Sequence, residues 1–207
     1  MRILYVTLLV VVVDQVSKLL VKGFWIPSLN MYHAGMQLGE SIPLIGNFFR
    51  LTFIENPGMA FGIDLGGKIF LTGFSFLASL GILYYLFKIR REGVGIRFSL
   101  AMILGGAIGN LIDRIFYGLL FGEGALFYGK VVDFFDVDFV HINLFGYQLN
   151  RFPIFNVADS CVTIGVLLML FFHREFSGDE QLHKSGEAQP VGNGAASDLH
   201  PSGEPHS

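Results

Sequence analysis

Two carboxylates in apolar surroundings are the strongest candidates for chemistry in this sequence. Asp133 lies in the stretch 131–134, Val-Val-Asp-Phe, and Asp159 lies in the stretch 155–160, Phe-Asn-Val-Ala-Asp-Ser. Apolar neighbours penalise the ionised form of a carboxyl group. If two such groups face each other, repulsion leaves one protonated and one ionised, and the pair titrates as a unit. Such a pair can activate water and protonate a leaving group, which suits hydrolysis of a peptide bond. Their spacing alone leaves open whether they meet.

Polar residues also recur at positions i, i+3 and i+4 within three apolar runs, a spacing that places them on one face of a helix. An ionisable side chain inside a membrane is costly, so it needs a partner or a function. One group alone is explained by hydrogen bonds between helices, whereas three groups at one depth favour a shared site. The three groups are Asp14, Ser17 and Lys18; Asn110, Asp113 and Arg114; and Asn156, Asp159 and Ser160.

Other chemistry has weaker support. Asp133 with Asp136 and Asp138 could bind a hard cation, but we interpret the last two as solvated loop charges. Ser160 has no histidine partner within an apolar run, and neither a Gly-x-Ser-x-Gly elbow nor a Walker motif occurs. Cys161 is the single cysteine and is expected to pack between helices. The sequence therefore predicts neither a metal nor a cofactor.

The composition places these residues in a membrane protein. Hydrophobic residues make up 52% of the 207 residues and charged residues 15%, with a mean hydropathy of +0.56; soluble domains have about 25% charged residues. A net charge of −3 gives no support to nucleic-acid binding. Apolar runs predict four transmembrane helices, the first retained rather than cleaved as a signal peptide. We place them at 3–21, 69–87, 98–117 and 154–172, followed by a disordered cytoplasmic tail at 175–207.

A basic cluster sets the expected orientation. Residues 88–91, Lys-Ile-Arg-Arg, and Arg97 lie in a short loop, which the positive-inside rule places in the cytoplasm together with both termini. The connections 23–68 and 118–153 then face outward. All three polar groups consequently lie toward the outer surface.

Smaller signals concern helix packing and the outer surface. Residues 49–53 alternate as a short amphipathic strand, and Trp25 and Tyr32 suit an interfacial aromatic belt. Lys18 and Lys22 are expected to extend to the outer headgroups. A ladder of small residues should let a neighbouring helix approach closely; its members are Ala101, Gly105 and Gly109.

Five sequence blocks together resemble one family, the lipoprotein signal peptidases or bacterial signal peptidase II, which are membrane aspartic peptidases. The resemblance covers residues 5–173, and the blocks are specific only in combination. They are 14–18 (Asp-Gln-Val-Ser-Lys), 56–62 (Asn-Pro-Gly-Met-Ala-Phe-Gly), 105–114 (Gly-Gly-Ala-Ile-Gly-Asn-Leu-Ile-Asp-Arg), 131–134 (Val-Val-Asp-Phe) and 152–160 (Phe-Pro-Ile-Phe-Asn-Val-Ala-Asp-Ser).

The resemblance implies that Asp133 and Asp159 are the catalytic pair. Within residues 1–174 it implies a membrane all-α fold of four transmembrane helices, both termini cytoplasmic, with an outer β-cradle and a short surface helix. It also implies nine substrate-binding or supporting positions. These are Asp14, Lys18, Asn56, Gly58, Asn110, Asp113, Arg114, Asn156 and Ala158.

The implied substrate is a diacylglyceryl-modified prolipoprotein, cut before its lipidated cysteine at the outer (periplasmic) face of the bacterial inner membrane. The implied enzyme is a monomer that contacts membrane lipid and requires no cofactor or metal. Two features depart from the family pattern: Pro57 follows Asn56, and the connection 134–152 is longer than usual. Whether Asp113 and Arg114 form only a structural ion pair is left open.

A small transporter or proton channel is the competing class, because ionisable residues in a membrane also mark ion pathways. Such a pathway should carry polar residues through the full depth of the membrane. The inner halves of the second and fourth runs are instead apolar, apart from Tyr84 and Tyr85. A purely structural assembly factor would not need two outer aspartates. The sequence therefore favours a peptidase.

Overall fold

The chain divides into two units, Met1–Phe172 and His173–Ser207. The first unit contains the long helices, the β-sheet and every residue of the expected site. In the second unit, only the end of the last helix, up to Glu187, is described. The computed structural model describes residues 2–60, 63–64, 67–138, 142–144, 147–149 and 151–187.

Three helical segments are long and apolar enough to cross a membrane, namely Leu4–Lys22, Ile69–Lys88 and Val94–Leu120, and Val157–Phe172 is a shorter apolar helix. These four segments correspond to the four apolar runs of the sequence. The helices are α1 (Leu4–Lys22), α2 (Lys68–Lys88), α3 (Val94–Ile112), α4 (Gly118–Leu120) and α5 (Val157–Glu187), with a π-helical turn, Asp113–Tyr117, between α3 and α4.

The start of α5 differs from the sequence prediction. The helix begins at Val157, three residues after the expected start at 154. Phe155 instead pairs with Phe135 in an antiparallel bridge, with backbone N···O distances of 3.1 and 2.7 Å. This pairing requires extended backbone, so the helix can begin only after it.

The end of α5 also differs from the prediction. The helix continues to Glu187, whereas the sequence predicts an irregular tail from residue 175. Glu, Gln, Leu and Lys in this stretch have good helix propensity, which favours continuing a helix that has already formed. Residues 188–207 lie outside the described part of the chain, and the disordered tail stays a prediction for them.

Helix α1 packs on the small-residue ladder of α3, as the sequence predicts. A Cβ atom added to Gly105 would lie 2.7 Å from the Cβ of Val10, and one added to Gly109 would lie 2.5 Å from a carboxylate oxygen of Asp14. Ala101, the third member, is fully buried. Since two helices can come this close only where side chains are absent, the ladder sets the distance between α1 and α3.

Gly106, on an adjoining face of α3, provides a test of the packing against α5. An added Cβ would lie 2.3 Å from the carbonyl oxygen of Ala158. We expect Gly106→Ala to lower the free energy of unfolding by about 1–3 kcal/mol, because the two helices must separate. Gly81→Ala is the matched control: Gly81 lies inside α2 with nothing within 4 Å of an added Cβ, and Ala should stabilise the helix there by about 0.5–1 kcal/mol. Thermal unfolding in detergent measures both, and equal stabilities would contradict this packing.

A three-stranded antiparallel sheet lies beside the helices, with β4 between β3 and β7. The predicted strand 49–53 lies within β4, and the register places Ile54 opposite Asp133. The other strands form two-stranded hairpins, β1–β2, β5–β6 and β8–β9. In chain order the strands are β1 (Phe24–Ile26), β2 (Met31–His33), β3 (Ser41–Ile45), β4 (Phe49–Asn56), β5 (Met59–Ala60), β6 (Ile63–Asp64), β7 (Val131–Val137), β8 (Ile142–Leu144) and β9 (Tyr147–Leu149).

Strand β7 forms one edge of this sheet and contacts α1 and the π-helical turn. Its residues 131–134 are all buried, so both of its faces are covered at Asp133. A hydrophobic cluster fixes the strand to the end of α1, to β4 and to the π-helical turn. Its buried members are Val21, Phe53, Tyr117, Val132 and Phe134.

Candidate active site

The polar groups expected to share one depth meet in a buried cluster, and Asp133 joins them from β7. Asp133 is 2% exposed, and four further side chains from α1, the π-helical turn and the start of α5 are fully buried. Those four are Asp14, Lys18, Asp113 and Asn156. Tertiary packing thus brings together residues that lie far apart in the chain.

Asn156 bonds to both candidate catalytic carboxylates. Its side-chain Nδ2 donates to Asp133 Oδ1 at 2.6 Å, and its backbone N–H donates to Asp159 Oδ2 at 3.3 Å. In return, the backbone N–H of Asp159 donates to Asn156 Oδ1 at 2.9 Å. This reciprocal pair is a capping box at the N-terminus of α5. The local sequence Asn-x-x-Asp therefore orients Asp159, while the Asn156 amide reaches across to β7.

Two more asparagines complete the hydrogen bonds of the pair. Asn110 Nδ2 donates to Asp159 Oδ1 at 2.8 Å, and Asn110 Oδ1 accepts from Asn156 Nδ2 at 3.0 Å. The side chain of Asn56 hydrogen-bonds to Asp133. Each carboxylate is thus held by amide donors from two different elements, which limits its freedom to rotate.

The turn after β4 orients Asn56. The N–H of Gly58 donates to Asn56 Oδ1 at 3.0 Å, which closes an Asx turn. Gly58 has a φ of +104°, a conformation that favours glycine. Pro57, noted above as a departure from the family pattern, occupies the centre of this turn, where its restricted φ is accommodated.

The electrostatic surroundings of Asp133 favour its protonated form. Burial, and then the negative charge of Asp159, raise the pKa of Asp133 to about 7. The charge of Lys18 and hydrogen bonds from Asn156 and Asn56 act in the opposite direction. Near neutral pH, a large fraction of Asp133 therefore carries a proton beside a second carboxylate. This is the arrangement that acid–base catalysis by a carboxyl pair requires.

Arg114 supplies a positive charge near the pair. It lies in the π-helical turn Asp113–Tyr117, a distortion that recurs at functional sites. Its guanidinium interacts electrostatically with Asp113, Asp159 and Asp133. Its Nε is buried without a hydrogen-bond partner among the described residues, so a donor remains available beside the carboxylates.

Lys18 is buried, so the expectation that it extends to the headgroups is wrong. Its Nζ lies 2.8 Å from a carboxylate oxygen of Asp14 and 2.8 Å from one of Asp113, and it donates to Asn110 Oδ1 at 2.8 Å. Three oxygen acceptors thus replace water around the ammonium group. Within the described part of the chain, the close ion pair of Asp113 is with Lys18 rather than with neighbouring Arg114.

Sequence reasoning missed Gln15 and Tyr117 as contributors to the cluster. Gln15 Nε2 donates to Asp113 Oδ1 at 2.8 Å, and the Tyr117 hydroxyl donates to Gln15 Oε1 at 3.1 Å. Tyr117 lies four residues after Asp113, and Gln15 lies three residues before Lys18, so helical spacing could have suggested them. Asp14 Oδ1 also accepts from the backbone N–H of Ala158 at 2.9 Å, which fixes the first turn of α5 to α1.

Asp136 is a structural residue, not the solvated loop charge that the sequence suggests. It is 6% exposed and accepts hydrogen bonds from Thr52 Oγ1 at 2.7 Å and Arg151 Nε at 2.8 Å. Asp138 is partly exposed and lies 3.5 Å from Arg151. Among the described residues, no three or more histidine, cysteine or acidic side chains lie together in a way that could hold a metal.

Lys22 is also paired within the protein, contrary to the expectation from the sequence. It contacts Glu55 and Glu123, and Lys130 Nζ lies 2.6 Å from Glu55 Oε2. The Nζ of Lys22 further lies 4.5 Å from the centre of the Phe121 ring. These four charged residues connect the end of α1 to β4 and to the segment that precedes β7. Strand β4 carries Asn56, and strand β7 carries Asp133.

Glu55 offers a test of this charge cluster. Burial alone would raise the pKa of Glu55, but the hydrogen bonds and charges of Lys130 and Lys22 outweigh it and lower the pKa. A lowered pKa stabilises the fold above the unfolded-state value, and this contribution is lost as pH falls through the folded-state value. We expect Glu55→Gln to lower the free energy of unfolding at pH 7 by about 1–3 kcal/mol, and the difference to shrink below about pH 4. Exposed Glu92→Gln is the control; equal unfolding temperatures for both variants at pH 7 would contradict the role.

Apolar helices of membrane length around a buried group of carboxylates define a polytopic membrane protein with an acidic site. The family model for signal peptidase (SPase) II matches residues 6–174. The chain belongs to this family, which makes it a membrane-embedded peptidase and confirms the resemblance noted in the sequence.

Relatives and solved structures agree with this assignment. Lipoprotein signal peptidases from Porphyromonas gingivalis and Symbiobacterium thermophilum are 36% and 40% identical to the chain. These matches cover 78% and 79% of the chain and 78% and 87% of the relatives. A bacterial membrane enzyme solved in meso at 2.3 Å is 30% identical with a TM-score of 0.59, covering 86% of this chain and 90% of that one. A second such structure, at 1.9 Å, is 32% identical with a TM-score of 0.53, covering 82% and 90%.

Proposed function

We propose that the chain is an intramembrane aspartic endopeptidase that removes the signal peptide from diacylglyceryl-modified prolipoproteins, cutting before the lipidated cysteine. Asp133 and Asp159 are its catalytic pair. The observation that carries the proposal is the link through Asn156, which hydrogen-bonds to both carboxylates in a cluster where Asp133 is 2% exposed. The family assignment supports the class of reaction.

The surroundings of the two carboxyls suggest their roles. Asp159 accepts a hydrogen bond from Asn110 on one carboxylate oxygen and one from the backbone N–H of Asn156 on the other, so both oxygens are oriented as acceptors. Asp159 then removes a proton from water, whose oxygen attacks the scissile carbonyl carbon. Asp133 donates its proton to the carbonyl oxygen. When the C–N bond breaks, Asp159 returns its proton to the departing nitrogen and Asp133 recovers its own.

The remaining polar residues support this pair. Asn56 and Asn110 hold the carboxyls, and the charge of the partly buried Arg114 offsets their negative charge. Asp14, Lys18 and Asp113 fix α1 and the π-helical turn around them. The substrate's acyl chains remain in lipid between the apolar helices, while its scissile bond lies beside the pair.

The topology of the enzyme is part of the proposal. The basic loop at residues 88–97 supports an orientation with both termini in the cytoplasm and the site at the periplasmic face of the bacterial inner membrane. The working enzyme is a monomer that contacts lipid and its prolipoprotein substrate. It uses no metal, cofactor or nucleic acid.

Cleavage by the purified protein in lipid tests the proposal. Wild-type protein is mixed with a prolipoprotein that carries the diacylglyceryl group and with the same chain lacking it, and release of the signal peptide is followed by gel shift. We expect cleavage of the lipidated substrate alone, unaffected by a metal chelator. If the lipidated substrate stays intact, the proposal is wrong, and a proton-flux assay in vesicles then tests the transporter class.

A further inference from the structure

The hairpin formed by β1 and β2, residues 24–33, is a rigid extension of α1. Its base satisfies the carbonyl groups at the end of that helix: the Met36 N–H donates to Val21 O at 2.7 Å, and His33 Nε2 donates to Leu20 O at 2.8 Å. The chain crosses itself tightly at this base, because a Cβ added to Gly35 would lie 2.3 Å from the backbone N of Gly23. The hairpin is therefore held in a fixed direction at the Lys22 end of α1.

The surface of this hairpin is apolar and uncharged. No acidic or basic residue other than His33 occurs between residues 23 and 39. Large apolar side chains on the hairpin are instead exposed, and a soluble surface would not normally present them together. They are Trp25 (57% exposed), Ile26 (37%), Leu29 (64%), Met31 (48%) and Tyr32 (69%).

The neighbouring surface indicates what covers the hairpin. A groove of about 640 Å³ separates it from the ends of α1 and α4, and its walls include Leu19, Leu120 and Phe121. Next to the groove, Leu20 (53% exposed) and the wall residue Leu120 (69%) belong to segments that are long and apolar enough to cross a membrane. The apolar face of the hairpin is thus continuous with surfaces that lipid covers.

The backbone and aromatic residues limit the depth of the hairpin. A two-stranded sheet has two open edges, whose unpaired N–H and C=O groups would be costly in hydrocarbon but not among hydrated headgroups. Trp25 lies opposite Tyr32 with ring centroids 6.0 Å apart, and both ring types favour the membrane–water interface. The apolar face of the hairpin makes bulk water an unfavourable position for it, and its open edges make the bilayer core unfavourable.

We propose that hairpin 24–33 is an interfacial anchor that lies in the lipid headgroup layer at the Lys22 end of α1. Because its base is fixed to α1, it sets the depth of the helix that carries Asp14 and Lys18. This inference rests on membrane embedding and on the hairpin geometry, and it is independent of the proposed catalytic pair.

The fluorescence of Trp25 tests the depth directly, because it is the chain's one tryptophan. The wild-type protein is reconstituted in phosphatidylcholine–phosphatidylglycerol vesicles whose acyl chains are brominated either near the headgroup or near the chain end. We expect a larger loss of emission with bromine near the headgroup than near the chain end, and little loss with aqueous iodide. Trp25→Phe gives the background. In that variant, Phe76→Trp within α2 and Glu92→Trp in the loop before α3 supply the deep and aqueous references.

Each alternative position predicts a different result. Strong quenching by iodide, as for the Glu92→Trp reference, would place the hairpin in water and overturn the proposal. Stronger quenching near the chain end, as for Phe76→Trp, would place it in the hydrocarbon and also overturn the proposal. Protection from all quenchers that disappears on dilution with lipid would show that a second copy of the chain covers the hairpin, and the anchor would again be rejected.

Discussion

Asp133→Asn and Asp159→Asn are each expected to slow cleavage of lipidated prolipoprotein by about 10²–10⁴-fold, the usual contribution of a general acid or base. Asn keeps the size of the side chain and can still accept the Asn156 amide hydrogen at position 133. It can neither remove a proton from water nor supply an acidic one. Initial rates of signal-peptide release in reconstituted vesicles measure the effect.

The same substitution at the end of the same strand is the control for this result. Asp138 directly follows β7 and is partly exposed near Arg151, outside the buried cluster. Asp138→Asn should therefore leave the rate of cleavage unchanged. If either Asp133→Asn or Asp159→Asn cleaves as fast as this control, that residue is not a member of the catalytic pair.

The Asp133→Asn variant could also be inactive because it is unfolded. The raised pKa of Asp133 predicts how the stability of this variant compares with wild type, so unfolding can be tested separately. The pKa rises from its ordinary value of 3.8 to about 7 in the fold. The protonated Asp133 carboxyl therefore contributes fully to the free energy of unfolding below about pH 4, and this contribution is lost as pH rises through about 7. The two limits differ by about 4 kcal/mol. At pH 8 Asp133→Asn removes an unfavourable buried charge. It should unfold at a temperature no lower than wild type.

The same pKa predicts the alkaline limit of activity. If Asp133 is the general acid, the rate of cleavage should fall as pH rises through about 7, because the required proton is lost. A rate that stays constant from pH 6 to pH 9 would contradict this role for Asp133. The Asp138→Asn variant should show the same profile as wild type.

Lys18→Met is expected to cause the largest loss of stability of any single change in the cluster. Lys18 is the close cationic partner of both Asp14 and Asp113, all three fully buried. Its removal leaves two buried carboxylates without that partner, which costs about 3–5 kcal/mol. The cost should appear as a lower unfolding temperature in detergent, followed with a thiol-reactive dye at Cys161, the chain's one cysteine.

Two further variants identify the cause of this loss. Lys88→Met removes a lysine that is exposed at the end of α2, and it should leave the unfolding temperature nearly unchanged. A triple variant that adds Asp14→Asn and Asp113→Asn to Lys18→Met removes the whole ion cluster and should recover much of the stability. If Lys18→Met is as stable as Lys88→Met, the buried ammonium group is not a structural counter-charge.

Local features of the sequence determined a large part of this protein. The apolar runs identify the helices, and for α1 and α2 their ends agree with the structure within about one residue, because length and hydropathy are local properties. The ladder Ala101, Gly105 and Gly109 predicts from spacing alone that a helix approaches closely, and the structure shows that this helix is α1. The capping box from Asn156 to Asp159 is likewise a pattern of neighbouring residues.

Tertiary structure decided which polar residues face one another. From the sequence Lys18 is interpreted as an interfacial lysine, but in the structure Asn110 of α3 and Asp113 of the π-helical turn contact its ammonium group. From the sequence Asp136 is interpreted as a loop charge, but in the structure it accepts hydrogen bonds from Thr52 and Arg151.

The link from Asp133 through Asn156 to Asp159 likewise depends on contacts between distant parts of the chain. It requires the register of β4 with β7 and the bridge that delays the start of α5. It also requires a glycine-lined approach of α3 to α5. Each of these contacts joins segments far apart in sequence, and local composition and periodicity cannot encode them. Long-range packing therefore determines how deeply the site residues are buried in the protein and which charges lie beside them.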